Sequence, residues 1–301
     1  MNSIYHLPAL KKESIDLLNI NPKGIYVDAT FGGGGHSRAI LEHLTTGKLF
    51  GFDQDIQTQK NIPQNPRFLW IHDNFSNIKN QLKLHRIDKV DGILADLGVS
   101  FHQFDNPERG FSFRFENSAL DMRMNPKSEL TAANILNEYS EEALADIFYY
   151  YGEIKTARKL AFQIIQYRKN KSIQKVKDLL NVCSYIFPEH LIKSYLPQIF
   201  QAIRIEVNQE LEHLKLFLNQ TLEVIKTGGR LVVLSYHSLE DRIVKNFMKS
   251  GNVEGEIQKD FFGNPLIPWK VLTKKPIVAS DEEIIENPRA RSAKLRAVEK
   301  I

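Results

Sequence analysis

Cysteine is nearly absent from this sequence, since Cys183 is the only one among 301 residues. A lone cysteine cannot form an intramolecular disulfide, and it excludes zinc or iron–sulfur sites built from several thiolates. Long apolar runs are also missing, because stretches such as residues 231–234 are far shorter than the ~20 residues that cross a bilayer. The first residues lack the basic-then-apolar order of a secretory signal. We therefore expect a cytoplasmic protein that contacts no membrane.

Fixed-period repeats and low-complexity blocks are absent as well, which excludes solenoid architectures. The hydrophobic content of 42% and the charged content of 25% are ordinary for a globular protein and exclude collagen-like and wholly disordered chains. The length is about twice the ~150 residues usually allotted to one domain. One large fold, or a core that carries an inserted unit, is therefore expected.

The net charge of +4 is concentrated at one end of the chain. The tail, residues 289–301, has one acid, Glu299, and five basic residues, which are Arg289, Arg291, Lys294, Arg296 and Lys300. Acids and bases balance in the remainder, so the tail holds the whole excess and could bind a polyanion. A solvated end without a partner is an equally good interpretation, and packing of the tail on the core as a helix is a third.

Short apolar strands alternate with helical patterns in the first hundred residues. A helix is indicated after His36, and strands are indicated over residues 24–30, 48–55, 67–74 and 91–98. This rhythm is typical of an α/β fold with a doubly wound, mostly parallel sheet.

A different pattern follows, in which strands vanish and amphipathic helices succeed one another. Helical stripes follow Ser140, cover residues 157–164 and cover residues 176–183, with Cys183 as a core residue. The alternation resumes with a long helix that ends near Gly228 and a strand over residues 230–236. We predict a core of residues 1–104 and 201–301, interrupted by a helical insertion over residues 105–200.

Four consecutive glycines, residues 32–35, stand between the first strand and its helix. Such turns approach ligands closely, but they serve NAD, FAD, nucleotides and S-adenosylmethionine alike, and a purely structural role stays open. Asp53 ends the second strand, where an acid can accept both hydroxyl protons of a ribose. The pair of features favours a nucleoside cofactor.

Two more strands end in polar residues that suit such a site. Asp73, Asn74 and Phe75 follow the third strand, where Phe75 could cover an adenine. Asp96 ends the fourth strand at the carboxyl edge, where such sheets bind ligands, although an aspartate of a simple turn is the alternative. The polar residues His102 and Gln103 that follow suggest a substrate loop.

Eight motifs, in order along about 290 residues, make the chain resemble the bacterial 16S ribosomal RNA cytosine-N4-methyltransferase family of the MraW/RsmH type. They are HLPAL, DATFGGGGHS, DLGVS, ERGFSF, LDMRM, QAIRIEVNQEL, SYHSLEDRIVK and NPRARSAKLR. The resemblance implies a class I S-adenosylmethionine methyltransferase, with a Rossmann-like, doubly wound sheet and an inserted all-helical subdomain that recognises RNA.

The resemblance also implies roles at single positions. Asp53 would hold the ribose of S-adenosylmethionine and Phe75 its adenine. Asp96 and Gln103 would lie at its amino-acid or reactive end, and three residues of the glycine turn would line the same site, namely Gly34, Gly35 and His36. Gly33 fills a variable place where arginine is frequent, and should be harmless.

The implied reaction methylates the amino nitrogen of a cytidine in the small-subunit ribosomal RNA, within the assembled subunit. That nitrogen is a poor nucleophile until acceptors hold its protons, and Asp96 with the carbonyl groups of residues 97–100 could do so. Positioning is the main catalytic task, so no metal is needed. The base must leave its stack, and Phe101, Phe111 or Phe113 could receive it, although each is more readily a core residue. Phe101 stands where the family often has serine, so we assign no catalytic hydroxyl there. A homodimer stays open.

Several further residues have two interpretations each. Ser238 has the spacing of a helix cap, while His237 could face the cleft or be structural. Arg204 could meet RNA phosphate or pair with an acid such as Glu206. If the tail is scaffold, the insertion would hold RNA through Arg158, Lys159, Arg168, Lys169 and Lys171.

Two rival functions fit the sequence less well. A nicotinamide-dependent oxidoreductase would need G-x-G-x-x-G, but the third glycine is replaced by Ser37. A non-catalytic RNA-binding protein would not need the set of Gly34, Asp53 and Asp96.

Overall fold

The computed structural model describes residues 8–99 and 101–301, without the side chains of Phe101 and His102. His6 and Leu7 of the HLPAL motif lie outside the described residues, as does Ser100 of the expected substrate loop. The chain forms two compact units, a sheet unit of residues 1–98 and 211–301 and a helical unit of residues 99–210. Within the described ranges, no helix combines the length and hydropathy that crossing a membrane requires.

The sheet unit contains a seven-stranded sheet in the order β3-β2-β1-β4-β5-β7-β6. The first five strands are parallel, and β7 runs antiparallel to both of its neighbours. The strands are β1 (Ile25–Asp28), β2 (Lys48–Asp53), β3 (Phe68–His72), β4 (Val90–Asp96), β5 (Ile225–Ser235), β6 (Trp269–Val271) and β7 (Lys294–Lys300). The predicted α/β class with a mostly parallel, doubly wound sheet is confirmed.

Helices cover both faces of this sheet, because its central strands are apolar on both sides. On one face the core includes α3 (Ile78–Leu84), α10 (Glu210–Val224) and α11 (Ser238–Ser250). On the other face it includes α1 (Lys11–Leu18) and α2 (Gly35–His43), while α12 (Asp281–Glu286) leads into a 3-10 turn at Pro288–Ser292. This layering brings the carboxyl ends of β1, β2 and β4 to one edge.

The helical unit has one apolar core of its own. Its helices are α4 (Phe101–Asp105), α5 (Ala132–Glu138), α6 (Glu141–Asp146), α7 (Ala157–Arg168), α8 (Val176–Ser184) and α9 (Glu189–Asn208), with a π-helical turn at Ile147–Tyr151. The bounds differ from the predicted 105–200 because Val99 and Phe104 already pack on this core, and because α9 continues to a buried Val207. Cys183 is buried in the same core.

The charged tail is a strand of the sheet, so the interpretation as a solvated end is wrong, while RNA binding by the tail stays a prediction. Residues Lys294–Lys300 form β7 between β5 and β6, and Leu295 and Ala297 are fully buried. Arg296 forms two hydrogen bonds with Asp241, at 2.6 and 3.1 Å. Charge counting misses this arrangement because it ignores the apolar residues between the cations. The tail packs on the core, as the third interpretation has it, but as a strand instead of a helix.

Candidate functional site

The glycine turn joins β1 to α2 at the carboxyl edge of the sheet. Gly32 and Gly34 have φ values of +49° and +74°, which side chains rarely adopt. A Cβ atom at Gly34 would lie 2.9 Å from the ring of Phe31, whereas a Cβ at Gly33 would meet nothing within 4 Å. The backbone at Gly34 therefore requires glycine, and Gly33 has room for a side chain. Gly35 is confined too, since a Cβ there would lie 2.9 Å from Pro8.

Asp53 is tied to this turn by its carboxylate. One oxygen accepts the backbone N–H of Gly32 at 2.8 Å, and the other accepts that of Asp55 at the same distance. Burial raises the pKa of Asp53 to about 7, although both backbone donors oppose the rise. Each oxygen keeps a lone pair for a further donor, so the carboxylate can still accept hydrogen bonds from a diol.

The residues that follow β3 form a connected polar group. Asp73 accepts hydrogen bonds from the side chains of Asn77 and Gln81, at 3.0 and 2.6 Å. Asn74 caps the next turn by accepting the N–H of Ser76. Phe75 is half-buried and packs edge-on against Phe217, with 5.1 Å between ring centres. The ring of Phe75 is thus packed on Phe217, while part of its surface stays accessible to a ligand.

Asp96, at the end of β4, has three polar neighbours, Thr30, Tyr236 and His36. Its backbone N–H donates to the Thr30 hydroxyl at 2.6 Å, which links the end of β4 to the glycine turn. One carboxylate oxygen accepts the phenolic hydroxyl of Tyr236 at 2.7 Å, and the other lies 3.6 Å from Nδ1 of His36. The side chain of Asp96 is 23% exposed, so the second oxygen can still meet a ligand.

Burial has the largest effect on the pKa values of Asp96, Tyr236 and His36. It raises the pKa of Asp96 to about 7, against the lowering effect of the hydrogen bond from Tyr236, and Glu240 adds to the rise. Burial and the neighbouring Asp96 carboxylate raise the pKa of Tyr236 well above its usual value. Burial also lowers the pKa of His36. A neutral imidazole and a neutral phenol therefore flank a carboxyl that titrates near neutrality.

Two residues of this site are missing from the sequence-based predictions. Tyr236 follows β5, and only the pairing of β4 with β5 brings it to Asp96. Asp28 ends β1 and is buried, where it accepts the hydroxyl of Ser37 at 2.6 Å. Its signal was available, because Asp28 ends a strand before the glycine turn as Asp53 and Asp96 end theirs.

The start of α11 differs from the predicted cap at Ser238. The N-cap is His237, whose ring accepts the N–H of Glu240 at 3.4 Å. The carboxylate of Glu240 in turn accepts the N–H of Tyr236 at 2.9 Å. The exchange resembles a capping box shifted by one residue, and it fixes the backbone of Tyr236 beside Asp96.

Other predicted residues belong to the helical unit. Gln103 lies in α4 and is 5% exposed, while Phe111 and Phe113 belong to or pack on the apolar core. Arg204 forms a two-pronged ion pair with Glu210, at 2.7 and 2.9 Å, instead of the expected pair with Glu206. Glu206 accepts the hydroxyl of Tyr139. Arg204 is thus a structural residue here.

Comparison with known proteins gives a consistent picture. A profile of the MraW methylase family matches residues 3–301. A protein of Bacteroides fragilis named ribosomal RNA small subunit methyltransferase H is 54% identical over 297 residues, which cover 98% of this chain and 97% of the relative. A protein of the same name from Flavobacterium johnsoniae is 53% identical over 298 residues, 99% of this chain and 98% of the relative.

Solved structures overlap this chain more weakly. An rRNA methylase from Streptococcus thermophilus is 13% identical with a TM-score of 0.39, and the match covers 97% of this chain and 93% of that one. TrmN from Thermus thermophilus is 10% identical with a TM-score of 0.42, and the match covers 97% and 48%.

Proposed function

Because the chain belongs to the MraW methylase family, we propose that it transfers a methyl group from S-adenosylmethionine to the exocyclic N4 amino group of a cytidine in small-subunit ribosomal RNA. The observation that carries this assignment is the Asp96 carboxyl, which Tyr236 holds at the strand edge beside the glycine turn. We further propose the assembled subunit as the substrate.

The donor set at the edge of the sheet fits the cofactor. We assign the ribose hydroxyls to Asp53, whose carboxylate is held by the turn at Gly32, and the adenine to the face of Phe75. The turn through Gly34 and Gly35, with His36 after it, would line the methionine part. The role of Gln103 stays a prediction from the resemblance. When bound, S-adenosylmethionine supplies an electrophilic methyl group on a positively charged sulfur.

Asp96 then acts as the proton acceptor at the amino nitrogen. Tyr236 occupies one carboxylate oxygen, which leaves the other to meet the base. An ionised Asp96 accepts one N–H of the cytosine, so the nitrogen lone pair is freed to form the new bond to carbon. With the cofactor bound, the methyl carbon would exchange its bond to sulfur for a bond to this nitrogen, and Asp96 would take the nitrogen's proton. The product would be N4-methylcytidine.

Methyl transfer to purified small subunits tests this function. We expect labelled methyl groups from S-adenosylmethionine to appear in the RNA of subunits that lack the modification, and nucleoside analysis should identify N4-methylcytidine. Free RNA of the same sequence should react much more slowly. Asp96→Asn, which keeps an acceptor for Tyr236 but not the carboxylate, should bind cofactor and lose most turnover. Methylation at carbon or at ribose would refute the assignment.

A further inference from the structure

The cations of the tail are partly used inside the sheet unit, which leaves the tail less charge to offer to RNA. Arg296 is paired with Asp241, and Lys300 donates to the carbonyl groups of Leu222 and Ile225. The helical unit also uses several of its cations internally. Arg168 donates to two backbone carbonyl groups, and Lys171 pairs with Asp178.

Helix α11 carries a one-sided stripe of positive charge. Arg242, Lys245 and Lys249 are exposed and follow one another at spacings of three and four residues, which places them on one face. The two acids of this helix are engaged away from Lys245 and Lys249, because Glu240 is buried and Asp241 pairs with Arg296. Among the described residues, no ion pair is recorded for the exposed Lys245 and Lys249. From Arg242 to Lys249 the stripe extends about 10 Å along the helix, at 1.5 Å per residue, in the direction away from Tyr236.

A short hairpin continues from the far end of α11. Gly251 and Pro268 close its base, since a Cβ at Gly251 would lie 2.5 Å from the proline ring. Its arms pair at Lys259 and Pro265. The tip exposes two aromatic rings, Phe261 at 97% and Phe262 at 84% of their surface.

Hydrogen bonds within the turn hold the backbone of the tip. The carboxylate of Asp260 accepts the backbone N–H groups of Phe262 and Asn264, at 2.9 and 2.8 Å, and also the side-chain amide of Asn264. Gly263 adopts a φ of +86°, which completes the turn. The two rings stand edge to face, 5.6 Å apart. Exposing two aromatic rings to water is energetically unfavourable, and the hydrogen bonds of this turn do not depend on the rings. Their exposure therefore indicates a surface that contacts a partner.

On the premise of the proposed function above, we propose that the exposed face of α11 and the tip of this hairpin form one RNA-binding surface for ribosomal RNA next to the methylated nucleotide. The stripe of Arg242, Lys245 and Lys249 contacts phosphates, and Phe261 and Phe262 stack on unpaired bases. The hairpin contributes aromatic rings and not phosphate contacts, because Glu254 and Glu256 are exposed near its base and repel phosphates there. A nucleic acid fits this combination better than an apolar protein partner, since the surface combines exposed lysines with exposed aromatic rings.

Two double variants separate the two halves of this surface. Lys245→Ala with Lys249→Ala should weaken binding to purified small subunits roughly tenfold, and should flatten the dependence of log affinity on log salt by about 0.7 to 0.9 for each phosphate that is no longer neutralised. Phe261→Ser with Phe262→Ser should also weaken binding about tenfold, but it should leave the salt slope unchanged, because stacking releases no counterions. Binding is measured by filter retention over a range of salt concentrations, with S-adenosylhomocysteine present.

Matched controls remove the same groups elsewhere. Lys12→Ala with Lys215→Ala deletes two exposed lysines that pair with acids of their own helices, and Leu84→Ser deletes an apolar side chain that is 74% exposed. Neither control should change RNA affinity. All variants should keep the melting temperature and the cofactor affinity of the wild type, since none of these side chains lies in the core or at the site.

The outcomes distinguish this surface from the proposed function. If the wild type methylates subunits and both α11 and hairpin variants bind like the controls, the surface is wrong and the function stands. If the wild type fails to methylate but the variants lose RNA affinity as described, the surface stands and the function is wrong. A change in self-association with unchanged RNA affinity would mean that a second copy of the chain covers this face, and it would overturn the inference.

Discussion

Replacing Tyr236 by phenylalanine removes the hydroxyl that donates to Asp96 and leaves the ring in place. A hydrogen bond to a charged group is worth about 1.5 to 3 kcal/mol, and one pKa unit corresponds to about 1.4 kcal/mol. Removing the bond would therefore raise the pKa of Asp96 by about one to two units. Water can reach the partly exposed carboxyl and replace some of the bond, so we expect about one unit.

The pH dependence of kcat/KM reports this change, because it reflects the groups of the free enzyme. Only ionised Asp96 accepts the proton, so the rate should rise with pH through the pKa of about 7 in the wild type. In Tyr236→Phe the rise should move to about pH 8. The profile of kcat should lie at lower pH in both proteins, since the bound sulfonium favours the carboxylate.

A matched control is Tyr139→Phe, which also removes a phenolic hydroxyl that donates to a carboxylate, at Glu206 in the helical unit. Its pH profile should coincide with that of the wild type. If Tyr236→Phe lowered the rate equally at every pH without moving the profile, Tyr236 would not set the pKa of Asp96, and the reasoning would fail.

Four further outcomes follow from the structure. Asp53→Ala should weaken S-adenosylmethionine binding by about 1.5 to 3 kcal/mol in calorimetry, and unchanged affinity would remove the ribose assignment. Gly34→Ala should lower the free energy of unfolding by at least about 1 kcal/mol because of its positive φ and the close approach to Phe31, whereas Gly33→Ala should change it little. Arg296→Ala should lower the free energy of unfolding in urea by about 2 to 3 kcal/mol, because it leaves the Asp241 carboxylate mostly buried and less well paired. Replacing the exposed Lys270 by alanine should have almost no effect. Burial raises the pKa of Asp96 in the folded state above its unfolded value, so the folded state binds more protons between about pH 4 and pH 7. The wild type therefore loses stability as pH rises through this window. Without cofactor, the melting temperature of Asp96→Asn should rise relative to that of the wild type between pH 5 and pH 8.

The parallel part of the sheet is predictable from sequence because each strand there is a short apolar run that ends in an acid or a turn residue. The glycine turn and Asp53 are predictable for the same reason, since each depends on a local pattern. Tyr236 could not be found in this way. Its role depends on β5 lying beside β4, although about 130 residues separate the two strands.

The edge of the sheet shows a second limit. In β7 the cations alternate with buried residues such as Leu295, and net charge alone makes this stretch look like a solvated tail. The antiparallel pairing of β7 with β5 depends on contacts between distant parts of the chain, which a local sequence pattern does not predict. The exchange between His237 and Glu240 is a similar case, because a histidine is not among the usual capping residues.

The interrupted sheet also bears on how the chain is made. During synthesis β4 emerges long before β5, its partner on the open side, and about 130 residues at roughly 5 to 20 per second correspond to a wait of about 7 to 26 s. Throughout that interval the nascent chain presents β4 as an unpaired edge, and the stretch from Ile93 to Ala95 is wholly apolar. Such an edge invites pairing with other chains. The helical unit, whose residues are contiguous and have their own core, can fold meanwhile, so the vulnerable intermediate is a half-built sheet that carries a finished insertion. Chaperones that shield strand edges should therefore engage this chain after the insertion emerges and release it when β5 arrives.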